Sequence, residues 1–210
     1  MKQKNLIILF LLALALPGHA QKAKISLMVS PTVQWSRLKA DITDTISTAG
    51  NGSSFQILFG PVVDYALADQ YIFSSGLLFS SKRASALINT PQDSSYLEEY
   101  ALQYLVVPAT LKLFTNDIAL DTRIYFQIGG TVEFNIAAEP KASGYRYSDG
   151  VSFFDLGALV GAGAEYQAGT NTLLYFSLTY HRGLINQISN KLNDLTLKND
   201  MVAFNLGVKF

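Results

Sequence analysis

Residues 124–136, IYFQIGGTVEFNI, alternate apolar and polar side chains with a period of two. Ile124, Phe126, Ile128, Val132, Phe134 and Ile136 share one face, and Tyr125, Gln127, Gly129, Thr131, Glu133 and Asn135 the other. Successive side chains leave a strand on opposite sides, so this pattern belongs to an extended strand with two unlike environments. It returns at 154–167, where Phe154, Leu156, Ala158, Val160, Ala162, Ala164 and Tyr166 oppose Asp155, Gly157, Gly161, Gly163, Glu165 and Gln167, with Leu159 out of phase. It also ends the chain, where Val202, Phe204, Leu206, Val208 and Phe210 alternate with Ala203, Asn205, Gly207 and Lys209.

Weaker versions fill the rest, and the pattern predicts eight strands, near 24–37, 54–66, 71–83, 99–114, 122–136, 151–168, 172–183 and 200–210. Most exceed the usual globular strand of about 5–6 residues and suit a tilted membrane-crossing strand of about 9–11. Short connections (LADQ, TNDIALD, AGTN) alternate with long polar ones such as DITDTISTAGNGSS and AAEPKASGYRYSDG. Outer-membrane barrels combine short periplasmic turns with longer external loops. The predicted fold is therefore all-β, an eight-stranded antiparallel up-and-down transmembrane β-barrel with both termini on the periplasmic side. The rival is a secreted soluble barrel of lipocalin type, with its apolar face turned inward around a ligand. Three features favour the membrane: the loop asymmetry, the glycines on the polar face, which suit a narrow interior, and aromatics near strand ends on the apolar face. Those aromatics are Trp35, Tyr65, Tyr71, Tyr166, Tyr180 and Phe210, placed where interfacial girdles belong.

The N-terminus, MKQKNLIILFLLALALPGHAQ, has Lys2 and Lys4 ahead of an 11-residue apolar run, Leu6 to Leu16, followed by Gly18-His19-Ala20. This is the pattern of a secretory signal cleaved before Gln21; the run is shorter than the roughly 20 residues of a membrane-spanning helix. The expected organisation is a signal peptide, 1–20, and one barrel domain, 21–210. Loss of both lysines leaves 14 basic residues against 16 acidic, which offers no electrostatic footprint for nucleic acid. The chain has no cysteine, so disulfides, Cys-based metal sites and lipoprotein anchoring are excluded.

Residues 103–114, QYLVVPATLKLF, read as a strand with Pro108 in its middle. Proline gives a ladder no N–H, so in a closed barrel Pro108 must sit at a bulge or at a missing ladder bond. Unbroken parity turns Tyr104, Val106, Pro108, Thr110 and Lys112 to the lumen and Leu105, Val107, Ala109, Leu111 and Leu113 to lipid; a bulge would flip half of them. The stretch resembles the signature of the PorT-like outer-membrane β-barrel family, a strand reading roughly Tyr-Leu-Glu-Ile-Pro-Leu-Leu-Leu-Lys. Tyr104, Leu105, Val107, Pro108, Leu111 and Lys112 match in place, and Val106 stands where that signature carries Glu. The terminal NLGVKF is similar to the signal read by the barrel-assembly machinery. The resemblance implies a Gram-negative outer-membrane location, no cofactor and, through some relatives, a link to protein secretion.

On the expected inner face lie Asp64, Lys112, Arg123, Glu133, Asp155, Glu165, His181 and Lys209. Eight strands enclose a space that side chains can fill, so these charges are expected to form a mutually compensating structural network without an open pore. A lipid-modifying enzyme is the other reading. However, Ser177 and His181 are four residues apart on one strand, roughly 13 Å, too far to act together, and no motif frames Ser152. Gly161-Ala162-Gly163 precedes no helix and so makes no phosphate cradle. No catalytic residue, cofactor site or metal site is expected. The expected partners are outer-membrane lipid, the barrel-assembly machinery at the C-terminal strand, and a protein at external loops bearing Tyr96, Tyr145, Arg146 and Tyr147, residue types common in binding anchors.

Overall fold

The computed structural model describes residues 23–40, 47–50, 53–89, 95–140, 150–189 and 195–210. Eight antiparallel strands form a ring: β1 (Ala23–Ala40), β2 (Ser53–Ala68), β3 (Tyr71–Gly76 and Leu78–Asn89, one strand in two segments), β4 (Ser95–Ala119), β5 (Thr122–Pro140), β6 (Phe154–Gln167), β7 (Leu173–Gly183) and β8 (Leu195–Lys209). Each strand pairs with the next in sequence, and β1 closes the ring by pairing with both β2 and β8, through Ile25↔Val63 and Leu27↔Val208 for example. Closure leaves no edge, which a lipid-exposed sheet requires because hydrocarbon cannot hydrogen-bond a free N–H or C=O.

One end of the ring carries the tight connections. Leu120–Asp121 joins β4 to β5, with Asp121 at φ 57°, a left-handed position that aspartate tolerates. The predicted loop 115–121 thus shrinks to a two-residue turn. At the other end the strands outrun their predicted limits. The β3–β4 ladder continues to Asn89↔Ser95, so residues 84–89 and 95–98, expected as parts of an external loop, are strand, and Tyr96 pairs with Ile88. A lack of clear alternation hid this extension (ASALIN and SYLE), because beyond the hydrocarbon a ladder needs only its backbone bonds. In contrast, β6 begins at Phe154 rather than 151. Residues 1–22, which include the predicted signal peptide, and 141–149, which include Tyr145, Arg146 and Tyr147, lie outside the described residues.

Pro108 sits at a missing ladder bond. The β4–β5 register runs unbroken from Tyr104↔Asn135 through Pro108↔Thr131 to Phe114↔Tyr125. On the β3 side the ladder stops at Ser75↔Ala109 and resumes in the same register at Leu78↔Val106. In place of a ladder bond, the Pro108 carbonyl accepts the Ser75 hydroxyl at 2.8 Å. Leu77, between the two segments of β3, donates its N–H to the Pro61 carbonyl on the opposite neighbour at 3.0 Å. Tyr104, Val106, Pro108, Thr110 and Lys112 are all buried inside, as unbroken parity requires. The nearest bulge in this ladder lies at Ile136, skipped between Gln103↔Ala137 and Tyr104↔Asn135.

The polarity of the molecule is inverted. Serines, threonines, amides and charges are buried in the lumen, while Phe55, Ile128, Phe176, Leu178 and Leu206 stand exposed on the outer wall. A soluble barrel would bury these; a barrel in lipid places them in hydrocarbon. Leu206, 46% exposed, and Ala203, fully buried, are one step out of phase on β8. Leu206→Arg should destabilise the barrel by about 2–4 kcal/mol, read as a shifted midpoint in urea titrations from lipid vesicles. Ala203→Ser should stay within about 0.5 kcal/mol, because its hydroxyl meets Thr32 across the ladder, whose Oγ1 has no hydrogen-bond partner among the described residues. Equal small shifts would contradict the assignment of the two faces.

Candidate functional site

The lumen is built in layers. Near the tight-turn end, the four even strands each contribute one buried charge of alternating sign: Asp64 (β2), Lys112 (β4), Glu165 (β6) and Lys209 (β8). Lys112 Nζ donates to both Asp64 oxygens at 2.9 and 3.0 Å. Lys209 Nζ lies 2.5 Å from Asp64 Oδ2 and also bonds Glu165. Arg123 adds a weaker contact to Glu165 at 3.5 Å from the mouth, where a third of its side chain is exposed. Lys112, Asp64, Lys209, Glu165 and Arg123 thus form one chain of alternating charge across the barrel. Desolvation makes a lone buried charge costly, and several partners per charge are what offset it.

Odd strands supply bulk beside this layer. The Tyr125 and Tyr175 rings face the Lys112 amine at 5.4 Å each, and Tyr175 faces Lys209 at 5.7 Å. Both rings lie across from glycine, in the pairs Tyr125↔Gly163 and Tyr175↔Gly207. A Cβ on Gly207 would fall 2.3 Å from the Tyr175 ring, and one on Gly163 2.7 Å from the Tyr125 ring. The inner glycines therefore provide room for tyrosine.

A second cluster occupies the other half. Lys82 pairs with Glu133, which also accepts the Thr131 hydroxyl at 3.2 Å, and Lys82 lies 4.9 Å over the Tyr104 ring. Asp155, directly across from Glu133, accepts instead from the Gln187 side chain. Gln187 is 1% exposed and belongs to the chain leaving β7, which folds back into the mouth. Its side-chain oxygen accepts from Asn199, its N–H donates to the Leu197 carbonyl at 2.9 Å, and its carbonyl accepts the Ser152 N–H at 2.9 Å. His181 contacts the Thr179 hydroxyl at 3.1 Å through Nε2 and no carboxylate. Between the clusters is a cavity of about 50 Å³ bordered by Leu58, Val62, Val106 and Leu159 together with Thr179 and His181. At the tight-turn mouth a cleft of about 510 Å³ has Asp64, Glu165, Arg123 and Lys209 in its walls, with Lys24 at the rim.

The eight residues expected in one network are therefore divided. Five share the first layer; Glu133 and Asp155 share the second, and His181 stands apart. Lys82 was missed, although its even parity with Ser74 and Ser80 on β3 could have found it; Gln187 was missed because it lies beyond any alternating segment. The residues weighed for an enzyme stay separated: the Ser177 hydroxyl accepts from Asn205 at 2.9 Å, and the Ser152 hydroxyl donates to the carbonyl of Phe154, the first residue of β6.

With this geometry in place, comparison with known proteins is informative. The family model described as "Outer membrane protein beta-barrel domain" matches residues 19–189. The chain is similar in fold to the outer membrane protein OprG from Pseudomonas aeruginosa, with a TM-score of 0.55 at 13% identity, covering 90% of this chain and 97% of that one. Neisserial surface protein A aligns with a TM-score of 0.45 at 13% identity over 88% and 97% of the two chains. The N-terminal barrel domain of OprF from Pseudomonas aeruginosa aligns at 0.43 and 14% over 88% and 97%. The OprG likeness bears on fold alone, and the weaker two carry no further argument. No curated protein matches the chain.

Lys209→Met removes the shared partner of two buried carboxylates and should cost about 3–5 kcal/mol in vesicle refolding titrations. Arg123→Gln, at the partly exposed mouth, should cost no more than about 1 kcal/mol. Gly207→Val should cost about 1–3 kcal/mol by overpacking against Tyr175, seen as a lower temperature for loss of the heat-modifiable band on gels.

Proposed function

Because the chain belongs to the family of outer membrane protein β-barrel domains, we propose that it acts there as a closed structural or interaction protein, an accessory to protein secretion or envelope assembly. It is an integral outer-membrane protein in contact with lipid. The observation that carries the proposal is the filling of the lumen at both ends, by the four-charge layer at one and by Lys82, Glu133, Asp155 and the inserted Gln187 at the other. A barrel of eight strands leaves no spare width around such side chains. On this reading the protein conducts nothing, carries out no reaction and needs no cofactor or metal. The eight inner residues and Lys82 hold the barrel rigid, and what it offers a partner is its external end. On export the signal is cleaved before Gln21, leaving 21–210 as the barrel domain, and the assembly machinery engages the C-terminal strand, β8.

Two measurements test the proposal. In planar bilayers the purified barrel should show no stepwise conductance, whereas steady unitary steps would establish a pore. Crosslinking in intact outer membrane followed by affinity capture should recover a defined protein partner. Deleting residues 141–149 should abolish recovery while the heat-modifiable barrel persists. An altered lipid profile caused by His181→Ala, with partner capture unaffected, would replace this reading with the enzymatic one.

A further inference from the structure

The outer wall carries a charged patch that the lumen does not explain. On three adjacent strands the outward residues follow one order. On β1, Ile25, Leu27, Val29 and Val33 lead to Trp35 and then Arg37. On β7, Leu174, Phe176 and Leu178 lead to Tyr180 and then Arg182, and on β8, Phe210 to Val202 lead to Asp200 and Lys198. The apolar run on β8 covers residues 202–210 and that on β1, with its Trp, residues 25–35, close to the 9–11 residues with which a tilted strand crosses hydrocarbon. The cations thus stand one step beyond the boundary, at headgroup level. Short turns mark the periplasmic end, so this is the outer leaflet.

The patch is preorganised. Trp35 and Tyr180 stack across β8 with centroids 6.2 Å apart and planes at 19°. Beneath them Asp200 is 3% exposed. Its oxygens accept from Arg37 Nη2 at 2.8 Å, the Tyr180 hydroxyl at 3.0 Å and the Gly183 N–H at 3.2 Å, with Arg37 Nε at an ion-pair distance of 2.7 Å. Arg37 Nη2 also donates to the Gly183 carbonyl at 3.0 Å, which fixes the guanidinium over β8. Saturated in this way, Asp200 compensates Arg37 alone. Lys198 pairs with Arg37 across one ladder, and Arg182 with Asp200 across the next; neither has a carboxylate within ion-pair distance among the described residues. Among the described side chains, three cations and one acid leave two positive charges at the height of the lipid phosphates.

We propose that Arg37, Arg182 and Lys198, over the Trp35–Tyr180 stack, bind the phosphate-bearing headgroup of an outer-leaflet lipid. Arg182 and Lys198 supply the compensating charge, the oriented Arg37 supplies planar donors suited to phosphate oxygens, and the aromatic pair packs on the upper acyl chain and glycerol region. The site anchors the barrel at one azimuth to one class of lipid.

Trp35 is the only tryptophan of the chain, so its fluorescence reports lipid at this spot. The full barrel is refolded into phosphatidylcholine vesicles, and quenching by brominated phosphatidic acid is compared with quenching by brominated phosphatidylcholine. The wild type should favour the acidic lipid, and each cation removed should reduce the preference about five-fold. Arg182→Gln with Lys198→Gln should abolish it, Lys198→Arg should retain it, and Lys24→Gln, at the opposite mouth, should leave it unchanged. Equal quenching of the wild type by both lipids, or a preference that survives in the double variant or falls as much in Lys24→Gln, would overturn the site. Heat-modifiable mobility of each variant confirms that the barrel being measured is folded.

Discussion

Closure of the sheet through β1 and β8 is the constraint on which everything else depends. In hydrocarbon each free backbone group costs several kcal/mol, so the ring must close with eight strands' worth of ladder and accept the lumen this leaves. That lumen is narrow. The outer face is then dictated by lipid, and every inner side chain must fit against seven other strands. Pro31, Pro61 and Pro108 enter such a ring only because register is kept without them: at Pro108 a serine hydroxyl replaces one ladder bond and the neighbouring strand pauses at a single residue, Leu77.

Narrowness explains how charge is distributed inside. A layer drawn from alternate strands lets long side chains meet near the axis without colliding with their immediate neighbours. Asp64, Lys112, Glu165 and Lys209 use this spacing and alternate in sign around the ring, so each amine lies between two carboxylates or close to them. Two of the strands between, β5 and β7, contribute a tyrosine at this level, each across from a glycine. At Tyr125 and Tyr175 the glycine opposite, Gly163 or Gly207, gives the ring its room.

Much of this was legible in the sequence, and the limits are physical. Parity alone placed Glu133, Asp155, Glu165 and Lys209 on the inner face, since a period of two leaves no freedom once one face is lipid. It also carried through Pro108, where a bulge was the alternative. Strand ends were less legible: outside the membrane no environment distinguishes the two faces, so the β3–β4 ladder up to Asn89↔Ser95 has no alternation to betray it. Partnerships were illegible for a different reason. Which charges meet depends on the heights at which strands cross the axis, and that is set by register. Lys82 with Glu133, and Gln187 folding in from a loop to meet Asp155, could not be read from a one-dimensional pattern.

Register also accounts for Val106. Across the inner wall at its height the order is Leu78, Val106, Glu133 and Asp155 on successive strands. A carboxylate at 106, as in the signature the strand resembles, would put three acids side by side, and the one amine nearby, Lys82, is already engaged by Glu133. Like charges on directly paired residues destabilise a sheet, and more so where water is excluded. Valine instead joins Leu58, Val62, Leu78 and Leu102 in an apolar cluster on one side of the lumen. The interior therefore also holds, at the height of Val106 and beside its charged layers, an apolar cluster drawn mainly from β2–β4 and closed by Leu197 of β8. An apolar side chain at 106 is what keeps Glu133 with a partner of its own.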